Sequence, residues 1–261
     1  MKKFPLFMGI ILILTIILTA CVEHKNLNSN EIAIVNGDVI TVKKIKEKLT
    51  TFQLEKTLYE YNGFQNNIYR NLELLHLRRD LIDHIIHLLK EKKLEDAKNF
   101  ICSLEDYEDL ETLKYFLIKE IDHYEEILDK QDNVIIAFEE ALKDLLLLQE
   151  ANNRSLIPTE NEIQASYEDY LLTNQEKINT NVYYKYFHTF RQTNEKKLFQ
   201  LHTKDDYRLY ELEKIKRKLI LQKLKKELGT YQLDQYIKNQ LKESHVIINK
   251  KYDHYKNHFS S

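Results

Sequence analysis

The chain has 261 residues, 43% of them hydrophobic and 31% charged, with a formal charge of −2 at pH 7. That length allows one large domain or two small ones, and the balanced charge speaks against a nucleic-acid partner. Four glycines, two prolines and two cysteines leave almost no material for a glycine-cradled phosphate site, a disulfide framework or a four-cysteine zinc site.

Residues 1–21 read MKKFPLFMGIILILTIILTAC. Lys2 and Lys3 make a positive start, Phe4 to Ala20 an uncharged apolar run, and small residues close it, the pattern of a secretory signal. As a helix the run spans about 26 Å at about 1.5 Å per residue, short of a hydrocarbon core of about 30 Å, so an uncleaved anchor is the weaker reading. The ending Leu18-Thr19-Ala20-Cys21 resembles the lipobox of bacterial lipoproteins. That resemblance implies cleavage before Cys21 and a diacylglyceryl group on its thiol, and two or more acyl chains hold a protein firmly on a membrane. Loss of residues 1–20 removes two lysines and takes the charge to −4. Residues 21–30 then read as a lipidated cysteine and a polar tether. Cys102, flanked by Ile101 in an apolar stretch, is expected to be a buried, inert thiol.

Residues 32–35 and 39–41 are short β-branched runs around Asn36-Gly37, a pair suited to a two-residue hairpin turn. Thr41 can start a helix carrying Ile45 and Leu49. Apolar periodicity predicts a long helix over 66–99 and further helices over 107–129 and 133–153. Pro158 punctuates the chain, and Thr159 with Glu162 forms a capping box for a helix from Glu160 to about Leu172. The aromatic segment 181–190 is read as extended. A charged helix from about Asp206 to Leu228 and another over 231–243 follow, and 245–249 reads as a strand. A hairpin alone is marginal in water. The last strand is therefore expected to pair with it, bringing both ends of the chain into one small sheet.

Asp80, His84 and His87 fall on one helix face at metal-ligand spacing, but no fourth ligand and no HExxH pattern accompany them. Polar residues edging an apolar stripe is the preferred reading, and no metal, cofactor or catalytic residue is assigned. Lys214 to Gly229 is basic and amphipathic, and is read as a packed helix with a solvated lysine face rather than a lipid-binding one. Tyr183, Tyr184, Tyr186, Phe187 and Phe190 are the candidate peptide-contact residues, since aromatic side chains offer sequence-tolerant apolar area at low entropic cost.

Three segments carry a family resemblance. IAIVNGDVITVKKI (32–45) resembles the opening strand, turn, strand and helix of the SurA/PrsA group of exported folding factors. Residues 141–170 resemble its helix, capped turn and next helix, and 210–249 its closing helices and final strand. Together they cover about a third of the chain, in the group's order. The resemblance implies a mainly α fold: a SurA N-terminal-like helical domain over 31–261, with a small β-hairpin joined by a C-terminal strand. Residues 51–135 are a helical insertion with no counterpart. PrsA-like members carry a parvulin prolyl isomerase before the closing helices. Here that space is only 172–209, His188 alone resembles the first parvulin strand, and no glycine lies between Gly63 and Gly229. The expectation is a lipid-anchored, extracytoplasmic, chaperone-like protein of a bacterial membrane. It would bind unfolded or exported polypeptides without isomerase activity. A lipoprotein dedicated to one protein partner and a degenerate isomerase are the alternatives.

Overall fold

The computed structural model describes residues 27–62, 79–104, 110–244 and 246–252. The chain is mainly helical, with one three-stranded antiparallel sheet. β1 (Glu31–Val35) and β2 (Asp38–Thr41) form the hairpin, with Val35 opposite Asp38. Asn36 and Gly37 take φ of 51° and 97°, the positive values that a turn matching strand twist requires. β3 (Val246–Ile248) pairs with the other side of β1, Ala33 opposite Ile248, so the strand order is β2-β1-β3. The two ends of the described chain therefore meet, as the marginal stability of a lone hairpin implied. Asn249 reinforces the closure: its N–H donates to Ile32 O at 2.8 Å, and its side-chain amide donates to Asn28 O and Glu31 O at 3.0 and 2.9 Å.

Thr41 ends β2 and begins α1 (Val42–Asn62), its Oγ1 accepting the Lys44 N–H at 3.2 Å. The apolar residues of α1 are divided among three neighbours. Ile45, Leu49 and Phe52 join the inner face of the sheet and Ala137, Phe138, Ala141 and Leu142 of α5 (Val134–Asn153) in one core. Tyr59 packs against a second core made by α2 (Arg79–Lys90), α3 (Leu94–Cys102) and α4 (Leu110–Lys130), centred on Ile85, Leu89, Ile101, Ile121 and Tyr124. Leu54 is buried but belongs to neither. The segment without a counterpart in the resemblance thus builds, within its described residues, a three-helix core docked on the second half of α1.

Three further helices, α6 (Glu160–Thr180), α7 (Val182–Leu198) and α8 (Lys204–Leu228), pack in succession, α7 on α6 and α8 on α6. The expected capping box is present: Glu162 N–H donates to Thr159 Oγ1, and Thr159 N–H to Glu162 Oε2. α9 (Thr230–Glu243) closes a third core with Ala151, Ile220, Leu224 and Leu233. There the buried Glu150 accepts from Tyr236 OH at 2.6 Å and is held by Arg154, whose other end reaches Glu227 at 2.8 Å.

Four expectations are corrected. The helix over 66–99 is interrupted after Lys90, and residues 63–78 lie outside the described part. Lys92 takes φ of 59°; its N–H donates to Leu89 O and that of Lys93 to Leu88 O, a left-handed helix stop normally made by glycine. Ser155 and Gln200 end α5 and α7 in the same way, with φ of 57° and 55°. In a glycine-poor chain such stops leave no mark in the sequence. The helix after Pro158 runs to Thr180 rather than Leu172. Residues 182–190 are helical rather than extended, because Asn181 Oδ1 accepts the Tyr184 N–H at 3.0 Å and packing on α1 and α6 overrides aromatic strand preference. Cys102 is exposed. Ala97 and Ile101 occupy the buried face of α3, and the next residue is turned by about 100° toward solvent.

Asn249→Ala is expected to cost about 2 kcal/mol in urea unfolding, since it removes two hydrogen bonds that close the sheet. Lys92→Gly, Ser155→Gly and Gln200→Gly should each stabilise by about 1 kcal/mol in the same assay, because they relieve a side chain at positive φ.

Candidate functional site

α1 packs on α7, and an open groove of about 1090 Å³ lies between α1 and the α7 and α8 helices. Leu54 and Leu58 of α1 form one apolar wall; Phe187, Leu198, Leu209 and Tyr210 of α7 and α8 form the other. Tyr61 stacks on Phe190 where α1 meets α7, with ring centroids 3.8 Å apart and planes 9° from parallel.

A charged network holds the α7–α8 wall. Glu195 is only 1% exposed, yet it accepts from Arg191 Nε at 3.0 Å, Lys214 Nζ at 2.9 Å and Tyr207 OH at 2.8 Å. Lys214 also reaches the buried Glu211 at 2.9 Å. Burial opposes the Glu195 charge, but Lys214 and Arg191 outweigh it and hold the carboxyl below its ordinary range. Burial and the nearby Glu195 carboxylate push the Tyr207 hydroxyl up, so it remains a donor. Burial and Arg191 hold the His188 imidazole below its ordinary range. The network is satisfied internally, so it fixes the wall rather than offering a reactive group.

Of the five aromatic candidates, Phe187 lines the groove, and Phe190 stacks on Tyr61 of α1 without lining it. Tyr184 turns toward α6, its hydroxyl donating to Asn174 Oδ1. Tyr183 and Tyr186 are 79% and 63% exposed and do not line the groove. Sequence reasoning missed Leu54, Leu58, Leu198 and Leu209. Leu54 and Leu58 are four apart on α1, a second stripe beside the core stripe, which was the available signal. The segment resembling a parvulin strand is helix α7, with His188 on it. His84 packs its ring edge on Phe100 with centroids 4.6 Å apart, and His87 faces Glu91 at 3.2 Å. The side chain of Asp80 is outside the described part, and among the described residues no three metal-ligating side chains converge. Cys21 and the signal also lie outside it. Among the described residues no helix is long and apolar enough to cross a membrane. No family model, curated protein or solved structure matches the chain.

The depressed carboxyl of Glu195 fixes the sign of a pH effect. Its stabilisation is complete above the unfolded carboxylate range, near pH 4.5, and is lost as pH falls through the lower folded value. Glu195→Gln should therefore flatten the acid side of a stability–pH profile measured by urea unfolding. At pH 7 it should cost about 3 kcal/mol, because Arg191 and Lys214 lose a buried partner.

Proposed function

We propose that the chain is a membrane-anchored, extracytoplasmic lipoprotein. It holds unfolded or exported polypeptides in the groove between α1 and the α7–α8 wall, without isomerase activity. One observation carries this reading: the groove is open and walled by Leu54, Leu58, Phe187, Leu198 and Leu209. A client's side chains can bury apolar area there at about 25 cal/mol per Å² without a matched sequence. Charged residues along the rims, Lys43, Lys46, Glu47 and Glu55 among them, keep the empty groove soluble. The lipobox resemblance at Cys21 and the polar tether support placement of the groove beside a membrane, where exported chains emerge unfolded. The SurA/PrsA-like segments support the same assignment.

The protein should suppress light scattering by a heat-unfolded client at near-stoichiometric ratios. It should leave the cis–trans rate of a proline tetrapeptide unchanged. Leu58→Glu combined with Leu209→Glu should lose at least half the suppression while retaining the helical circular dichroism of the parent. Absence of suppression by the parent protein would refute the holding activity, and a faster proline isomerisation would refute the non-enzymatic assignment.

A further inference from the structure

A second, smaller cavity of about 320 Å³ opens where the groove meets the sheet, and the two share Lys44, Glu213 and Arg217 in their walls. Its body is aliphatic, built by Ile40 of β2, Leu145 and Leu148 of α5, and Ile220 and Leu221 of α8. Its mouth is cationic. Asp144 is the resident carboxylate, and three cations from two other helices crowd it: Lys48 at 2.8 Å, Arg217 at 3.7 Å and Lys44 at 3.8 Å. Lys216 adds a fourth positive charge to the same wall, and Glu213 is the remaining acid there. More positive charge converges here than the local carboxylates neutralise. Burial, and after it Arg217, accordingly hold the Lys44 ammonium below its ordinary range.

The third wall is strand β2. β2 is an edge strand, and Val39, Ile40 and Thr41 line the cavity. Ile32 directs its carbonyl to Asn249, on the β3 side. The β1–β2 register is irregular between Glu31 and Ala33 but regular from Ala33 on, where the two-residue turn makes Val35–Asp38 the bonded pair; bonding direction alternates from there, so Val35 and Ala33 face β2 and Ile34 faces β3. Val39, opposite Ile34, is then in the pair not bonded to β1 and presents its own N–H and C=O outward. An acyl chain entering the cavity would strip water from those groups and replace it with nothing, whereas an extended peptide pairs with them.

We propose that this cavity captures the C-terminus of a client polypeptide: the terminal carboxylate lies against Lys44 and Arg217, the last side chain, an aliphatic one, fills the space between Ile40 and Ile220, and the preceding backbone pairs with Val39. The inference rests on the polypeptide-holding reading and specifies where the end of the held chain sits. Asp144 acts as the placeholder that the incoming carboxylate partly displaces.

The test uses the full chain and an N-terminally fluorescein-labelled decapeptide ending in leucine, as free acid and as amide, read by anisotropy. The free acid should bind at least tenfold more tightly than the amide, and 0.5 M salt should erase most of the difference. Arg217→Gln and Lys44→Gln should each reduce the acid to the affinity of the amide. Asp144→Asn should tighten the acid several-fold by removing the competing carboxylate. Equal binding of acid and amide would overturn the proposal, as would displacement of the bound acid by stoichiometric laurate, which would assign the cavity to an acyl chain. Aggregation suppression by the parent protein is the independent readout. If it persists while acid and amide bind equally, the end-capture proposal fails and the groove reading stands; if it is absent, the groove reading itself fails.

Discussion

β1 is the strand on which the architecture depends. It is the centre of the sheet, so it carries the hairpin on one side and the closing strand from the far end of the chain on the other. Ile32, Ala33, Val35 and Ile40 are all buried, and Ile248 is added to them by the closing strand. Without β3, the other edge of β1 would present unpaired backbone groups beside an apolar surface, a costly arrangement. Pairing across more than 200 residues of sequence also carries a large loop-closure entropy. Several local contacts offset it at once: the ladder, the three hydrogen bonds of Asn249, and apolar contact with α5.

That closure decides what α1 can do. Its first half is drawn onto the sheet and α5, and its second half onto the core of α2 to α4. Between those two attachments Leu58, half-buried, and the more deeply buried Leu54 line the groove, with residues of α7 and α8 on its other side. The α7–α8 wall does not collapse into the gap because its inner side carries ionic groups. Arg191, Glu195 and Lys214 satisfy one another in place, and moving them into an apolar contact would require desolvating each again. The groove is thus open for an electrostatic reason and apolar for a packing reason, a combination suited to holding chains of many sequences.

The electrostatics of the two ends differ. At one, where α1 meets α7, Tyr61 stacks on Phe190. At the other, Lys44, Lys48 and Arg217 gather on Asp144 beside an aliphatic cavity and a sheet edge. The groove is therefore not a uniform surface: its charge gathers at the end beside the sheet edge.

Local chemistry alone was enough for the elements with strong punctuation. Asn36-Gly37 specified the hairpin, Thr159 with Glu162 started α6, and Gly229 separated α8 from α9, because turn and cap preferences act over three or four residues. The apolar periods of α4, α5 and α8 were legible for the same reason, and of the aromatic residues 183–190 singled out for peptide contact, Phe187 lines the groove. What only tertiary structure decided were features whose cause lies far along the chain. Lys92, Ser155 and Gln200 hold left-handed helix stops that no glycine announces, because surrounding packing tolerates the local cost. The aromatic run of α7 is helical because α1 and α6 receive it. Leu54 and Leu58, a minor stripe in the sequence, line the groove because the contacts that bracket them anchor both halves of α1 elsewhere. Whether an apolar residue fills a core or lines an opening depends on what lies opposite it, and periodicity along one helix carries no record of the helix across the gap.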